Sequence, residues 1–481
     1  MLFTGPLFLF FFLPVVLALY FLSPKRAKNL LLLSASLVFY AWGEGPYVLI
    51  LIGSVLCNYY GGLGVEHSQK TSYRRLIFWS TVAGNVLPLV VFKYSHFLMA
   101  NLNLILRRFG HALPEPSVHL PIGISFFTFM GLSYVIDVYR RQLSAQKQPV
   151  SFALYLTLFP HLIAGPIVRY GDIAAEILMR QVSRSDFAEG IRRFIVGLGK
   201  KMLIADTVAV TADLVFKTPY SMLTPGVAAL GITCYAVQIY FDFSGYSDMA
   251  IGLARMFGFH FPENFNYPYV AQSITEFWRR WHITLSNWLR DYLFFPLGVR
   301  GPRLRLYLNL LIVFFICGLW HGASWTFVIW GLFHGTFLVF ERAGLLKWMA
   351  RLPRFLRHVY ALLVITIGWV FFRAETVSEA IGFLSAMTGL TRSATVPYGL
   401  RAYLSNSLFL GLAMGLLGST PLIPVLRSWA GTLTAEAKGA RVLVLEATGR
   451  LLRVAVLAAI FVASAALSAA GTYSPFIYFR F

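Results

Sequence analysis

The chain has 481 residues, of which 58% are hydrophobic and only 13% are charged, and its net charge is +21. A soluble globular protein is nearer a quarter charged, so this composition excludes a large soluble core and predicts a polytopic membrane protein. The positive excess fits cytoplasmic loops beside anionic lipid, or else the attraction of an anionic donor or polymer. The sequence contains no soluble basic module or metal finger, which argues against nucleic acid as a partner.

Apolar runs recur along the whole chain, and several are shorter than the ~20 residues that a full transmembrane helix needs. We therefore expect an all-α fold with roughly ten to twelve membrane spans, plus re-entrant or interfacial helices that line protein rather than lipid. The runs are Leu7–Leu22, Leu30–Trp42, Tyr47–Leu63, Ile77–Phe92, Val227–Phe241, Leu306–Trp320, Trp325–Phe340, Tyr360–Phe372, Leu408–Leu417 and Val454–Ala469.

The first apolar run, Leu7–Leu22, leads directly into Lys25, Arg26 and Lys28 without a cleavage site of small residues. We expect it to be a first membrane span and not a removed signal peptide. The positive-inside rule predicts that these three cations lie in the cytoplasm and that the N-terminus lies outside.

The region between Pro121 and Pro302 repeatedly mixes glycine or proline with small polar and aromatic residues. Broken helices in a membrane are tolerated only where neighbouring protein or an aqueous cavity satisfies the freed backbone groups. This middle region is therefore predicted to build a pocket, while the N-terminal spans are predicted to form a lipid-facing scaffold.

The segment 276–292 reads Glu-Phe-Trp-Arg-Arg-Trp-His-Ile-Thr-Leu-Ser-Asn-Trp-Leu-Arg-Asp-Tyr and concentrates charge in a chain built for lipid. Ionisable groups at bilayer depth cost about 3 kcal/mol each or more, so they often mark a functional site. On a helix, His282 would share a face with Trp278 and Arg279. The alternative is an interfacial belt in which Arg279, Arg280 and the tryptophans anchor the chain at the membrane surface.

A second histidine, His321, stands in the sequence Leu-Trp-His-Gly, and small residues on either side, Gly318 and Gly322, predict room for a ligand beside its ring. His334 follows 13 residues later. If one helix held both histidines, they would lie about 20 Å apart and could not serve one centre. The simpler interpretation of His334 is a structural polar pair with Glu341.

Metal chemistry is not predicted, because the spacings His-x-x-x-His, Glu-x-x-His and Cys-x-x-Cys are absent and the three cysteines are isolated in apolar runs. A Gly-x-Ser-x-Gly elbow and a phosphate-binding glycine loop are absent as well. What remains is a histidine that accepts a proton from an alcohol in a pocket that excludes water. This is the minimum that an acyl transferase needs.

Two C-terminal segments carry further expectations. The range Arg427–Arg453 interleaves charged and apolar residues and is predicted to form an amphipathic helix at the membrane interface. The chain ends in Pro475–Phe481, which holds four aromatic residues and one cation. Because chain ends are usually frayed and polar, this tail is predicted either to anchor at the interface or to dock into the membrane domain or a partner's binding face.

The segments 276–292 and Gly318–Ala323 closely resemble the two signature segments of the membrane-bound O-acyltransferase (MBOAT) family, and the likeness covers almost the whole chain. The resemblance implies one membrane domain over 1–481, with a funnel of helices and a catalytic histidine at its base. We expect N-terminal scaffold spans at 1–100, a catalytic funnel region at 119–345, and C-terminal spans with the aromatic tail at 355–481. Other matching segments are Phe39–Trp42, Leu120–Phe126, Phe159–Pro166, Lys200–Asp206, Tyr240–Ala250, Gly368–Glu375 and Ser474–Phe481.

The resemblance assigns the family's essential histidine to His321, its second signature histidine to His282 and a functionally sensitive aspartate to Asp206. His321 would act as a general base or acyl relay, and His282 would support it or receive the acceptor hydroxyl. Donor-binding or supporting roles are expected for Trp278, Arg279, Arg280, Trp281, Asn287, Arg290 and Trp320.

The same resemblance implies that acetyl groups move from a cytoplasmic donor outward for O-acetylation of an exopolysaccharide, with alginate first among the candidates. The donor would be acetyl-CoA or another acetyl thioester, without a bound cofactor. Extracytoplasmic esterase-like subunits of the SGNH type would be partners, and the location would be the bacterial cytoplasmic membrane.

Other interpretations stay open at this point. The acetylated polymer is alternatively cellulose or peptidoglycan. The chain is alternatively a non-enzymatic polymer-export channel, or an assembly subunit that recruits soluble acetyltransferases. The histidines discriminate between these classes, because a channel tolerates conservative changes that keep its lining polar and a base catalyst does not.

Overall fold

The computed structural model describes residues 1–298, 301–390, 399–436, 440–471 and 476–477. Within these ranges the chain forms helices and no strand, which confirms the predicted all-α fold. The α-helices are α1 Leu13–Leu22, α2 Lys28–Glu44, α3 Val48–His67, α4 Thr71–Leu89, α5 Ser95–Leu106, α6 Ile124–Tyr139, α7 Pro149–Thr157, α8 Phe159–Leu162, α9 Tyr170–Leu178, α10 Arg184–Gly199, α11 Asp206–Lys217, α12 Pro225–Met256, α13 Ile274–Arg280, α14 Ile283–Leu289, α15 Arg303–His321, α16 Trp325–Phe340, α17 Leu346–Met349, α18 Arg354–Arg373, α19 Val377–Met387, α20 Asn406–Gly418, α21 Leu422–Glu436 and α22 Ala440–Ala469.

Six helical stretches among the described residues are long and apolar enough to cross a membrane. One of them, Lys25–His67, contains two helices, because Gly45 adopts φ +54° and ends α2 before α3 begins. A multi-pass membrane protein is therefore confirmed. The other stretches are Thr71–Phe109, Pro225–Met256, Arg303–His321, Arg354–Arg373 and Val442–Ala469, and shorter apolar helices lie at Phe8–Leu22, Ile124–Tyr139, Val377–Met387 and Asn406–Gly418.

Several helices continue through π-helical segments, which often occur at functional sites. The segment Val90–Tyr94 follows Pro88 in α4, where the proline ring cannot donate a backbone hydrogen bond. Two of these segments carry the buried ionisable residues Lys201 and Glu341. The π-helical segments are Phe8–Phe12, Val90–Tyr94, Lys200–Ala205, Arg290–Phe294 and Glu341–Leu345.

The crossing of α10 and α12 depends on two facing pairs of glycines. A Cβ on Gly197 would lie 2.6 Å from the carbonyl oxygen of Gly245, and a Cβ on Gly252 would lie 2.6 Å from that of Gly190. Small residues of this kind let helix backbones approach closely within a membrane. This contact fixes α12, which carries side chains that reach the candidate site.

We expect Gly252→Ala to lower the stability of the solubilised protein, because the added methyl group would overlap the Gly190 carbonyl. Overpacking of this kind typically costs about 1–3 kcal/mol. The midpoint of thermal unfolding in detergent measures the effect. Gly226→Ala is the matched control on the same helix, since a Cβ there meets only Leu400 Cδ2 at 3.9 Å. Equal midpoints for the two variants would contradict the role of the glycine pairs.

The C-terminal segments differ in their packing. The range Arg427–Arg453 is helical on both sides of residues 437–439, which lie outside the described residues. Of the tail, the structure describes Phe476 and Ile477, and both are buried. The Ile477 amide donates a hydrogen bond to Asp242 Oδ2 at 2.7 Å, and the Phe476 ring stacks on Tyr246 at 4.7 Å. These contacts are those of docking rather than of an interfacial anchor.

Deletion of Ile477–Phe481 tests this docking. The truncation removes the hydrogen bond to Asp242 inside the membrane domain, so we expect a lower protein level, or a lower rate of the acetyl transfer that the resemblance implies, than in the parent. Immunoblotting of membranes and a transfer assay measure the two quantities. If membrane insertion, protein level and acetyl transfer all match the parent, the tail is dispensable and docking has no function.

Candidate active site

His321 is the last residue of α15 and is 3% exposed. Its ring packs edge-on against the rings of Trp320 and Trp330, with both centroids 4.9 Å away, and against Phe372 at 5.3 Å. These aromatic walls keep water from most of the imidazole. A low-dielectric setting strengthens any electrostatic interaction made there.

The prediction that Gly318 and Gly322 leave room for a ligand is wrong. A Cβ on Gly318 would overlap the carbonyl of Phe327, and a Cβ on Gly322 would overlap the Phe327 ring. Both positions require a glycine because α15 and α16 cross closely. That crossing brings Trp330 of α16 against His321.

His282 lies at a break between two helices. Trp281 is extended, with φ −100° and ψ 129°, and His282 adopts the left-handed conformation, with φ 43° and ψ 55°. The prediction of one helical face shared with Trp278 and Arg279 is therefore wrong. A left-handed conformation is uncommon for a residue with a side chain and often marks a functional site.

Asn264 stabilises this break through both its backbone and its side chain. Its Oδ1 accepts a hydrogen bond from His282 Nδ1 at 3.0 Å and from Thr284 Oγ1 at 2.9 Å. Its backbone carbonyl accepts from the Ile283 amide, and its Nδ2 donates to Ser247 Oγ. Because Oδ1 can only accept, Nδ1 of His282 carries the proton and Nε2 carries the lone pair.

The two histidines share one neighbour. The Trp320 ring lies 6.1 Å from the ring of His282 and 4.9 Å from that of His321, centroid to centroid. Trp278 packs next to this group, 5.7 Å from Trp330. Trp278, Trp281 and Trp288 are all buried, so the alternative of an interfacial aromatic belt is wrong for these rings.

The other residues expected from segment 276–292 lie further out. Arg279 is exposed, and Arg280 pairs with Glu276. Trp281 packs 4.9 Å from Trp369 and makes part of the core. Asn287 is half-buried on α14, and the exposed Arg290 pairs with the neighbouring Asp291.

Asp206 belongs to a buried charge cluster. Lys201 Nζ donates to Asp206 Oδ1 at 2.6 Å and lies 2.9 Å from Asp242 Oδ1. The residue after Asp242 is Phe243, whose ring is 4.7 Å from that of His282. Asp206 is therefore connected to the site through the packing of α12.

His334 and Glu341 do not form the expected pair. Glu341 accepts hydrogen bonds from the amides of Ile274 and Thr275 and from the hydroxyl of Tyr360, and so caps the start of α13. His334 instead packs among aromatic rings, 5.3 Å from that of Trp330. It also lies on a different helix from His321, so the separation calculated for one helix does not apply.

A pocket of about 70 Å³ opens beside His321. It is lined by the start of α6, including Ser125, and by Lys93 from the π-helical segment after α4. Sequence reasoning missed Lys93, although a single cation that ends an apolar run was a visible signal. It missed Asn264 as well, which lies in the stretch Pro262–Tyr269 that combines chain breakers with polar residues.

A larger pocket of about 530 Å³ lies at the far end of an aromatic column. From Trp320 the column passes to Phe129, whose ring is 5.2 Å away, and then to Trp288, stacked on Phe129 at 3.9 Å. The next ring, Tyr292, borders the pocket and lies 5.1 Å from Trp288. The column thus joins a water-accessible pocket to the wall of the His321 site.

Arginines and acids alternate around this larger pocket. Arg169 pairs with Asp291 at 2.8 Å, and Arg140 donates to the Asp291 carbonyl. Burial alone would raise the pKa of the Asp291 carboxyl, but hydrogen bonds from Arg290 and Arg169 hold that pKa below its usual value. Asp291 therefore stays ionised, and its carboxylate holds Arg169 at the rim of the pocket.

The membrane domain thus brings two buried histidines, His282 and His321, to one aromatic wall beside a pocket. A profile of the membrane-bound O-acyltransferase family matches residues 138–377. The chain is 48% identical to the probable alginate O-acetylase AlgI of Azotobacter vinelandii, over 80% of this chain and 78% of that protein. It is 41% identical to the protein of that name from Pseudomonas putida over the full length of both.

A third relative, the peptidoglycan O-acetyltransferase of Helicobacter pylori, is 39% identical over 81% of this chain and 80% of its own length. The chain therefore belongs to the membrane-bound O-acyltransferase family. The predicted family and the prediction of an O-acyltransferase are confirmed.

Asn264→Ala should lower acetyl transfer by about 10²-fold, because a misplacement near 1 Å at the reacting group costs that much. The change removes the acceptor that orients the His282 ring, while both histidine side chains are still present. Initial rates of acetyl transfer in membranes measure it. Asn266→Ala is the matched control, since that side chain is exposed in the same loop. Parent-like transfer by a normally expressed Asn264→Ala protein would contradict the orienting role.

Proposed function

We propose that this acyltransferase moves acetyl groups from a cytoplasmic acetyl thioester, such as acetyl-CoA, outward for O-acetylation of an exopolysaccharide. The observation that carries the proposal is His321, buried among aromatic rings beside a pocket. The proposed location is the bacterial cytoplasmic membrane, with the N-terminus outside. Extracytoplasmic esterase-like subunits of the SGNH type are the proposed partners that deliver the group to the polymer.

Alginate is the first candidate polymer, because relatives named as alginate O-acetylases reach 48% identity to this chain. Peptidoglycan is the second, because a peptidoglycan O-acetyltransferase is 39% identical. A strain that lacks this gene separates them. Loss of acetyl esters from secreted alginate supports the first candidate, and loss from muramic acid residues of the wall supports the second.

In the proposed mechanism, His321 takes the proton from the attacking hydroxyl group as a general base. The hydroxyl oxygen bonds to the carbonyl carbon of the thioester, the carbon–sulfur bond breaks, and the proton passes from the imidazolium to the departing thiolate. General-base catalysis typically contributes a factor of ~10²–10⁴. The rings of Trp320, Trp330 and Phe372 exclude water, which limits hydrolysis of the thioester.

His282 is the proposed supporting histidine. Its Nδ1 proton is directed to Asn264, so its Nε2 presents a lone pair on the side of the ring away from that bond. In this orientation, Nε2 is suited to accept a hydrogen bond from the hydroxyl group of the acceptor.

The thioester donor is proposed to reach the site from the larger pocket along the aromatic column. Arg140 and Arg169 at that pocket suit the phosphates of a coenzyme A or of a carrier-bound pantetheine arm. Arg290 contributes through its contact with Asp291. Arg279 and Arg280 are proposed to interact with the donor only outside this larger pocket. Arg279 is exposed, and Arg280 is held by Glu276.

His321→Gln should abolish polymer acetylation and leave the protein in the membrane at the parent level. Glutamine keeps polarity and approximate size and removes the base. Acetyl content of the isolated polymer measures the effect, and His96→Gln is the control, because that side chain is 68% exposed. Normal acetyl content in the His321→Gln strain would contradict general-base catalysis and favour the channel or assembly alternative.

A further inference from the structure

Lys93 lies next to His321 in the pocket of about 70 Å³. Its Nζ donates to the carbonyl oxygens of Trp320 and His321, the latter at 3.3 Å, and reaches Ser125 Oγ at 3.4 Å. Among the described residues no carboxylate pairs with this ammonium. A cation within a membrane domain is costly and usually pairs with an opposite charge.

The end of α15 explains part of this placement. The last carbonyls of a helix have no partner inside the helix, and a cation near them is favourable by about 0.3–1 kcal/mol. Tyr94, the next residue, does the same without a charge, since its hydroxyl donates to the Leu319 carbonyl at 2.9 Å. The carbonyls at the end of α15 therefore need hydrogen-bond donors, but these donors need not be charged. A hydroxyl group such as that of Tyr94 supplies one without the cost of burying a charge.

The remaining walls of the pocket favour a negative ligand atom. Ser125 lies in the first turn of α6, and the positive end of that helix dipole faces the pocket. Because the Ser125 hydroxyl accepts from Lys93, its own proton is left to donate to a ligand. Lys93, Ser125 and the helix end thus direct positive charge to the space beside the His321 ring.

We propose that Lys93 and Ser125 form an oxyanion subsite that stabilises the negative charge on the acetyl carbonyl oxygen during transfer. The inference rests on the proposed function of His321. When the acceptor hydroxyl attacks, the carbonyl π electrons move to oxygen, and the Lys93 ammonium lies near that charge. When the carbon–sulfur bond breaks, these electrons return to re-form the carbonyl. The subsite thus acts only on the intermediate and its flanking transition states.

The test compares Lys93→Met, Lys93→Arg and Tyr94→Phe in membranes that contain the complete system. The initial rate of acetyl transfer is measured as a function of the concentration of labelled acetyl-CoA, which gives kcat and KM. Lys93→Met removes the positive charge and the hydrogen bond that orients the Ser125 hydroxyl, and impairing one oxyanion donor typically costs ~10²–10³ in kcat. We expect that loss for Lys93→Met with unchanged KM and protein level, partial recovery with Lys93→Arg, and near-parent rates for Tyr94→Phe. A parent-like kcat for Lys93→Met, or an equal loss in Tyr94→Phe, would overturn the proposal.

Two further variants keep the result interpretable. Ser125→Ala removes only one contact of Lys93 and leaves the hydrogen bonds of Lys93 to α15, so it tests the subsite even if Lys93→Met fails to accumulate. We expect Ser125→Ala to lower kcat at least tenfold. A parent-like kcat would overturn the proposed subsite. His321→Gln separates the two proposals. If it is inactive while the Lys93 and Ser125 variants transfer normally, only the oxyanion subsite is wrong, and if it is active, the proposed function itself is wrong.

Discussion

The hydrogen bond between His282 Nδ1 and Asn264 Oδ1 stabilises the interruption between α13 and α14, which a membrane interior would otherwise disfavour. A left-handed histidine between two short helices frees backbone groups, and no water is available in lipid to satisfy them. Asn264 supplies partners for His282, Ile283 and Thr284. With the break supported, the His282 ring can turn toward Trp320 and so toward His321.

His321 is held by a different set of constraints. Close packing at Gly318 sets α15 against α16, and Lys93 takes up the carbonyls of Trp320 and His321 at the end of α15. The position of the ring is thus determined from three directions by α16, by the segment after α4, and by Phe372 of α18. Rigid support of this kind is what a reacting group needs, since small displacements cost large factors in rate.

Several features of the fold were predictable from local sequence. The composition and the apolar runs indicated an all-α membrane protein, and the charged residues of 276–292 with His321 indicated where polar groups gather. The break at His282 was not predictable, because its cause is Asn264, 18 residues away and outside any helical pattern. Lys93 was visible in the sequence as a single cation at the end of an apolar run, but its place beside His321 was not, since its partners lie 227 and 228 residues further along the chain. Gly318 was misread because a gap for a ligand and a close helix crossing both require a small residue.

His321 is the proposed site of acetyl transfer. An experimental structure of the protein with acetonyl-CoA, in which a methylene group separates the sulfur from the carbonyl carbon and prevents transfer, tests it most directly. We predict that the ketone carbon lies next to His321, with its oxygen toward the pocket that Lys93 and Ser125 line. Density for the ketone at any other surface, with the His321 pocket unchanged, would contradict it.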